Sequence, residues 1–102
     1  MNRGDVWWGE HPGAGRRPYL VVTREEAISA RRRVVVVPAT RRIRGLPTEV
    51  RLDEEDGLPS PCALSLDNVT TMPKAMLTER ICRLRGERMT EVCRALAIAT
   101  SC

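Results

Sequence analysis

The chain has 102 residues, of which 42% are hydrophobic and 29% are charged. This length fits a single domain, residues 1–102, because a second hydrophobic core would not fit, and the composition is too apolar for a wholly disordered chain. Two tryptophans and one tyrosine are the only aromatic residues, so aliphatic side chains must fill a small core. Dimerisation would help to stabilise such a fold.

The net charge of +4 is unevenly distributed along the chain. Residues 1–51 carry 11 basic and 5 acidic side chains, a balance of +6, whereas residues 52–102 carry 6 basic and 8 acidic side chains, a balance of −2. All but one of the 17 basic residues are arginine, whose planar guanidinium suits paired contacts with phosphate oxygens. This pattern favours a polyanionic partner, although an arginine preference can also reflect the base composition of a genome.

Neither a membrane segment nor a metal motif is evident in the sequence. No apolar run approaches the roughly 20 residues that a membrane-spanning helix needs, and the first residues lack the pattern of a secretory signal. We therefore expect a cytoplasmic protein with no membrane partner. The spacing of Cys62, Cys82, Cys93 and Cys102 matches no paired zinc-ligand motif. We interpret these cysteines as reduced, mostly buried thiols and expect no metal and no cofactor.

The first half of the chain contains three segments with the composition of β-strands. Residues 5–8 are a candidate for a short strand, and the glycines and proline of residues 9–15 predict a loop after it. A second strand is predicted over residues 17–23. Residues 24–30 favour a single helical turn, and the four valines of residues 34–37 are typical of a strand that is buried on both faces.

The second half continues with short strands and ends in a helix. Residues 48–52 alternate apolar and polar side chains, as in a strand with one solvated face, and an acidic loop follows at residues 53–61. Two further short strands are predicted over residues 63–67 and 69–72. A proline-initiated helical turn over residues 73–77 and a last strand over residues 80–84 follow them.

The final segment is predicted to be an amphipathic helix. Met89, Val92, Cys93 and Leu96 recur at helical spacing, which predicts a helix over about residues 87–98 with one apolar face. Five to seven short strands with one terminal helix indicate a mainly β fold, either a small, strongly bent sheet or a partly open barrel.

Few residues of this chain are suited to catalysis. A serine–histidine–acid triad would have to use His11, the single histidine, and no Gly-x-Ser-x-Gly motif is present. The glycine-rich segment leads into a strand rather than a helix, which excludes a P-loop for nucleoside triphosphates. Arg17 precedes a proline that keeps its backbone extended, and Thr40 follows the central strand. If their strands are neighbours, this guanidinium and hydroxyl would meet at one edge of the sheet and bind a phosphodiester oxygen.

Several short motifs occur in a characteristic order along nearly the whole chain. They are Arg3-Gly4-Asp5-Val6-Trp7, Arg17-Pro18-Tyr19-Leu20-Val21-Val22, residues 34–40, Leu46-Pro47-Thr48-Glu49-Val50, Asp56-Gly57-Leu58 and Leu66-Asp67-Asn68. Followed by the turn from Lys74 to Leu77 and by the final helix, this order resembles that of the MazF/PemK-type toxins. Each motif is weak alone, but their order and spacing identify the chain as a member of that family.

The resemblance implies a fold, an activity and partners. The fold would be a small SH3-like barrel with a C-terminal α-helix, assembled as a homodimer. The protein would be the toxin of a type II toxin–antitoxin system, with a cognate MazE-like antitoxin. Its activity would be metal-independent, sequence-specific cleavage of single-stranded RNA, which inhibits translation and growth. Cleavage would use the 2′-hydroxyl of the RNA and leave a 2′,3′-cyclic phosphate and a 5′-hydroxyl.

The resemblance also implies roles for individual residues. Arg17 matches the catalytic arginine before proline, Thr40 matches the threonine after the central strand, and Asp67 lies where some members carry an acidic residue at the RNA site. Free arginine has a pKa above about 12, so we interpret Arg17 as a stabiliser of the phosphorane charge and a proton donor to the leaving 5′-oxygen rather than as a base, with Thr40 orienting the phosphate. Asp67 or His11 would then accept the 2′-hydroxyl proton. Further RNA contacts are expected from His11, Arg16, Arg41, Arg42, Arg44 and Asn68.

Each candidate residue also has a purely structural interpretation. Arg17 could pair with an acid such as Asp5, whereas Thr40 and Asp67 could cap turns. His11, in a predicted loop without a defined partner, could be incidental.

The tryptophan pair and the function as a whole leave alternatives open. Strand alternation sends either Trp7 or Trp8 into the core and the other outward, where it would stack on a base or line a dimer interface. The alternative functions are a non-catalytic SH3-like toxin that poisons a protein such as DNA gyrase, and an RNA chaperone without cleavage activity. The pair of Arg17 and Thr40 favours a nuclease, because a protein-binding toxin does not need it.

Overall fold

Seven β-strands and two α-helices make up the part of the chain that the computed structural model describes, residues 1–13 and 15–102. The strands are β1 (Asp5–His11), β2 (Gly15–Val21), β3 (Arg33–Thr40), β4 (Glu49–Leu52), β5 (Cys62–Ser65), β6 (Thr70–Pro73) and β7 (Leu77–Arg83). The helices are α1 (Glu25–Ile28) and α2 (Gly86–Thr100). Single 3₁₀ turns cover Glu54–Asp56, Leu66–Asn68 and Lys74–Met76.

The seven strands form one antiparallel sheet centred on β3. The order along the sheet is β4-β5-β3-β2-β1-β7, and β6 pairs with the first half of β3 beside β5. Within the described residues, β4 and β7 lie at opposite ends of this order and do not pair with each other, so the barrel is bent but not closed. The predicted mainly β class with a terminal helix is confirmed, in its partly open form.

The pairing of β2 with β3 decides where their ends lie. Tyr19 is opposite Pro38 and Leu20 is opposite Val37. In an antiparallel pair each step forward on one strand is a step back on the other, so continuing this register places Arg17 opposite Thr40. The start of β2 and the end of β3 therefore meet at one edge of the sheet, as the sequence analysis expected.

β3 is buried on both faces. Val37 belongs to a core cluster that includes residues of α2, whereas Val36 belongs to a second cluster on the other face of the strand, and both are 0% exposed. Full burial of a valine side chain contributes roughly 1.5–3 kcal/mol relative to an exposed one. The four consecutive valines therefore make β3 the strand on which both parts of the core depend, as their pattern predicted.

β1 is longer than the sequence pattern indicated. It continues through Gly9 to His11 instead of ending at residue 8, so the predicted loop over residues 9–15 shrinks to the connection around Pro12 and Gly13. Gly9 lies opposite Arg17 with the ring of Tyr19 against it, and a Cβ at this position would be 2.6 Å from Tyr19 Cδ2. Close packing, rather than a turn, therefore requires this glycine. Position 14 of the predicted loop lies outside the described residues.

α2 is also longer than predicted, and its buried face is centred on Val92 and Ala95. Cys93 lies one residue, or about 100°, around the helix from Val92 and is exposed. Cys102 is exposed as well, so the expectation of mostly buried thiols is wrong for two of the four cysteines, all of which are free. In the described part of the chain, no helix is long and apolar enough to cross a membrane.

Candidate functional site

Arg17 and Thr40 together line two cavities at the edge of the sheet where β2 begins and β3 ends. The first cavity has a volume of about 220 Å³, and its other walls include Trp8, Arg16, Pro18, Arg41 and the loop residues Leu58, Pro59 and Ser60. The second has a volume of about 130 Å³, and its other walls include Arg42, Arg44, Glu49, Ser65 and Asn68. The convergence that the sequence analysis expected is therefore present in the structure.

Positive charge is concentrated around both cavities. Five arginines line them, two from the start of β2 and three from the loop that follows β3: Arg16, Arg17, Arg41, Arg42 and Arg44. Among the described residues that line the cavities, Glu49 is the one acidic side chain. Like charges grouped along a cleft focus the electric field and attract a polyanion. This cleft is thus a major part of the positive field counted in the first half of the sequence.

Thr40 and Arg17 are both half-buried and held by their surroundings. The Thr40 Oγ1 accepts a hydrogen bond of 3.1 Å from the backbone N–H of Arg42. A hydroxyl can accept and donate at the same time, so the Thr40 O–H can also act as a donor. Pro18 restricts the backbone of Arg17 to an extended conformation. The buried carboxylate of Asp5, considered above as a partner of Arg17, lies instead 3.4 Å from Arg80 Nε.

Trp8 is the tryptophan that faces the site. The Cζ atom of Arg16 lies 4.6 Å from the centre of the Trp8 ring, and Arg16 also forms an exposed ion pair of 3.4 Å with Glu79. Trp7 packs against the second core cluster. The predicted alternation of the two indoles is confirmed, and it supplies the first cavity with an aromatic surface on which a nucleobase could stack.

His11 lies outside both cavities. It lines a separate open hollow next to Arg16 and Met76, and its Nδ1 is 2.9 Å from the carbonyl oxygen of Pro12. The structure therefore does not bring His11 together with Arg17 and Thr40. Among the described residues, Arg16 lines both this hollow and the first cavity.

Asp67 also lies outside both cavities, whereas its neighbour Asn68 lines the second. The Thr48 hydroxyl donates a hydrogen bond of 2.6 Å to Asp67 Oδ2, which ties the turn Leu66–Asn68 to the residue before β4. The Asn68 side-chain N–H donates a hydrogen bond of 2.7 Å to Ser65 Oγ. The structure thus places Asn68, rather than Asp67, in the wall of the site.

Cys62 is a wall residue that the sequence analysis did not assign to the site. Burial, followed by the nearby Asp56 carboxylate, raises the pKa of the Cys62 thiol to about 11. The thiol therefore stays protonated near neutral pH and is not a nucleophile. Among residues 1–13 and 15–102, no group of three or more His, Cys, Asp or Glu side chains is arranged to hold a metal ion.

An ion pair holds the turn Glu54–Asp56, which precedes in sequence the residues of the first cavity's wall at positions 58–60. Arg88 of α2 lies with its Nε 2.9 Å from Asp56 Oδ1 and its Nη1 3.0 Å from Glu91 Oε2. Burial opposes the ionisation of Asp56, but hydrogen bonds from Arg88 and from the backbone N–H of Asp53 outweigh it, so the pKa of Asp56 lies below its ordinary value. The turn Glu54–Asp56 is therefore fixed to α2, and one residue, Gly57, separates it from the wall residues Leu58, Pro59 and Ser60.

A guanidinium and a hydroxyl donor that face the same cavities can hold a phosphodiester group. Charge-assisted N–H bonds position its oxygens, and donors that are already in place stabilise any further negative charge that develops there. The arrangement therefore suits chemistry at phosphorus on a polyanionic chain.

Sequence comparison relates this chain to a family of known proteins. Residues 2–100 match the family described as PemK-like, MazF-like toxins of type II toxin–antitoxin systems. The chain is 44% identical to the probable endoribonuclease MazF5 of Mycobacterium tuberculosis, over 98% of this chain and 93% of that protein. It is 41% identical to the probable endoribonuclease MazF2 of the same species, over 100% of both chains.

Solved structures are similar to this chain over nearly its whole length. The M. tuberculosis toxin MazF-mt6 has a TM-score of 0.88 at 31% identity, covering 95% of this chain and 96% of that one. An endoribonuclease from mycobacterial species, in complex with its cognate antitoxin, has a TM-score of 0.89 at 28% identity, covering 99% and 95%. A MazE–MazF structure from Deinococcus radiodurans, at 23% identity and a TM-score of 0.82 over 98% and 94%, shows the shared fold.

Proposed function

The chain belongs to the PemK-like, MazF-like toxins of type II toxin–antitoxin systems, and from this premise we propose that it is an endoribonuclease that cleaves RNA beside Arg17 and Thr40. The observation that carries the proposal is that these two side chains, which come from different strands, line the same two cavities among five arginines. The naming of both mycobacterial relatives as probable endoribonucleases supports it.

In the proposed reaction the RNA supplies its own nucleophile. The 2′-oxygen attacks the adjacent phosphorus while the bond from phosphorus to the 5′-oxygen breaks, which leaves a 2′,3′-cyclic phosphate and a 5′-hydroxyl. The phosphorane between these states carries additional negative charge. Arg17 stabilises that charge, and the Thr40 hydroxyl donates to a non-bridging oxygen. One such positioned donor typically contributes about 2.7–4 kcal/mol to the lowering of a barrier.

The proton of the 2′-hydroxyl needs an acceptor that reaches the cavities. Glu49 is the one carboxylate among the described residues that line the cavities, and its Oε1 already accepts three backbone N–H groups. Asp67 and His11 have partners outside the cavities. We therefore propose that water takes this proton, that a proton from Arg17 or water reaches the leaving 5′-oxygen, and that the arginines supply the positive charge without a metal ion.

Single-stranded RNA is the proposed substrate class. The ring of Trp8 and the guanidinium of Arg16 offer stacking surfaces next to Arg17, and bases are free to stack only when they are unpaired. Arg41, Arg42 and Arg44 lie along the same edge and would contact flanking phosphates. Bacterial transcripts are made and translated in the cytoplasm, where we propose that the protein acts.

We also propose two protein partners, a second copy of this chain and an acidic antitoxin. Ile98 of α2 is 50% exposed, and burial against another copy would remove this apolar surface from water. The arginine-lined cleft would attract an acidic, extended antitoxin segment that competes with RNA. The solved relative in complex with its cognate antitoxin supports this partner.

Incubation of the purified chain with end-labelled single-stranded RNA in excess EDTA tests the proposed function. We expect discrete fragments with 2′,3′-cyclic phosphate ends by mass spectrometry, and a mass by light scattering of twice the chain mass of 11.4 kDa. Binding without cleavage would indicate an RNA chaperone. Intact RNA without binding would indicate a toxin that acts on a protein such as DNA gyrase, and either result would refute the nuclease.

A further inference from the structure

The loop between β3 and β4 carries three of the five arginines of the site but has no regular secondary structure. Arg42 and Arg44 line the second cavity together with Arg17 and Thr40. Residues in an irregular loop can bind a ligand with a fixed geometry only if their backbone is held by other contacts, since an unordered loop loses conformational entropy on binding.

One oxygen atom of Glu49 holds this loop. Its Oε1 accepts hydrogen bonds from three successive backbone N–H groups, of Arg44 at 3.0 Å, Gly45 at 2.8 Å and Leu46 at 3.3 Å. Gly45 has a φ of +72°, a left-handed conformation that lets neighbouring N–H groups point to one acceptor. The backbone N–H of Glu49 in turn donates to the carbonyl oxygen of Leu46 at 3.0 Å.

The same loop is tied to the site at its other end. The backbone N–H of Arg42 donates to Thr40 Oγ1 at 3.1 Å, so this end of the loop is anchored to the last residue of β3. A carboxylate among five arginines lowers the attraction of this edge for RNA. The presence of Glu49 is explained if RNA binding gains more from the ordered loop than it loses from the reduced positive charge of the site.

We propose that Glu49 is a positioning residue for RNA, which holds the loop of residues 41–46 in the conformation that presents Arg42 and Arg44 to the phosphates next to the cleaved one. This inference rests on the proposed nuclease function of the same cavities. The side chain of Glu49 is long enough to place its oxygen within hydrogen-bonding distance of the three N–H groups, and this length is the property that RNA binding requires. Its negative charge is not.

Two conservative variants of Glu49 distinguish the effect of side-chain length from the effect of side-chain charge. Glu49→Gln keeps an acceptor oxygen at the same reach without the charge, whereas Glu49→Asp keeps the charge but is one methylene shorter. We expect Glu49→Asp and Glu49→Ala to raise the KM for RNA about tenfold with kcat changed less than about threefold, because Arg17 and Thr40 remain on their strands. Glu49→Gln should keep its KM within about threefold of the unmodified chain. If Glu49→Gln behaved like Glu49→Ala while Glu49→Asp behaved like the unmodified chain, charge would be the relevant property and the proposal would be wrong.

Amide hydrogen exchange at residues 44–46 provides a readout that does not depend on activity. It should be at least about tenfold faster in Glu49→Asp than in the unmodified chain and little changed in Glu49→Gln, because local opening is easier without the three hydrogen bonds. Glu26→Ala, at an exposed acid of α1, serves as the matched control. Unchanged exchange in Glu49→Asp would overturn the proposal even if Glu49→Ala does not fold. If exchange changes as expected but the unmodified chain cleaves no RNA, the loop contact stands and its assigned role in RNA cleavage is overturned together with the nuclease.

Discussion

At the scale of single residues, the site depends on two side chains whose directions are set by their backbones. Pro18 keeps Arg17 extended at the start of β2, and Thr40 is the last residue of β3. Neither side chain is fully buried, because the backbone of each residue belongs to a strand while its side chain faces the cavities. Substitutions there should change chemistry more than stability.

Arg17→Ala should lower kcat/KM for RNA cleavage by at least about tenfold, and by as much as 10²–10³ if the whole stabilisation of the phosphorane is lost. The kcat/KM of Arg17→Lys should lie between those of Arg17→Ala and the unmodified chain, because a lysine keeps the charge but not the planar pair of donors. Single-turnover kinetics measure the effect, and thermal melting confirms that the fold is intact. Full cleavage activity in Arg17→Ala would remove this residue from the mechanism.

At the scale of secondary-structure elements, α2 supports the site from behind. Arg88 connects the helix to Asp56 in the turn Glu54–Asp56, and the residues after that turn form a wall of the first cavity. The side chain of Asp56 is only 2% exposed, so this pair is shielded from water and removal of one partner leaves a buried charge.

Arg88→Met should destabilise the fold at pH 7 by about 1–3 kcal/mol, somewhat less than for a fully buried pair because Arg88 is partly exposed. The pKa of Asp56 is lower in the folded than in the unfolded chain, so its ionised form stabilises the fold above the unfolded pKa of about 3.9. That stability is lost as the pH falls through the lower, folded pKa. Urea unfolding at pH 7 and near pH 3 should therefore show a smaller difference between Arg88→Met and the unmodified chain at low pH.

The control is Arg94→Met, which removes an exposed arginine from the same helix. It should change stability by less than about 0.5 kcal/mol at either pH, because exposed side chains without close partners contribute little. A deficit in Arg88→Met that stayed equal at both pH values would show that the ion pair with Asp56 is not the cause.

At the scale of the whole molecule, two arginine clusters lie at opposite ends of β3. Arg31, Arg32 and Arg33 are exposed where the strand begins, and Arg41, Arg42 and Arg44 surround the cavities beyond its end. Eight residue steps of extended chain, from Arg33 to Arg41, place the clusters roughly 25 Å apart, well over the Debye length at physiological salt. The position of the charge, and not only its amount, should therefore decide how RNA binds.

Replacement of Arg41, Arg42 and Arg44 by serine should weaken binding of single-stranded RNA and lower the slope of log Kd against log salt by about 1–2, since each lost phosphate contact removes about 0.7. The matched triple replacement of Arg31, Arg32 and Arg33 changes the net charge equally and should affect the slope much less. Fluorescence anisotropy with uncleavable 2′-O-methyl RNA at several salt concentrations measures both. Equal losses in the two variants would mean that RNA responds to the overall charge instead of to this cleft.

Patterns within short stretches were enough to predict much of the fold. The four valines of β3, the alternation over residues 48–52 and the helical spacing of Met89, Val92 and Leu96 each arise from burial of one local surface, which repeats with the period of the element. The order of the motifs along the chain was also sufficient to identify the family. The predicted loop was wrong at Gly9, because this glycine accommodates the ring of Tyr19 across the sheet and does not make a turn.

The amino-acid sequence by itself determined the mainly β class, the terminal helix, the family and the two side chains proposed for the chemistry. Only the tertiary structure decided that Arg17 and Thr40 meet, that Asn68 rather than Asp67 faces the cavity, and that Cys93 is exposed. The hydrogen bonds of Glu49 to the arginine-rich loop were likewise evident only there. The reason is physical: strand register, helix rotation and loop closure depend on contacts between residues distant in the chain, which leave no periodic signal in the local sequence.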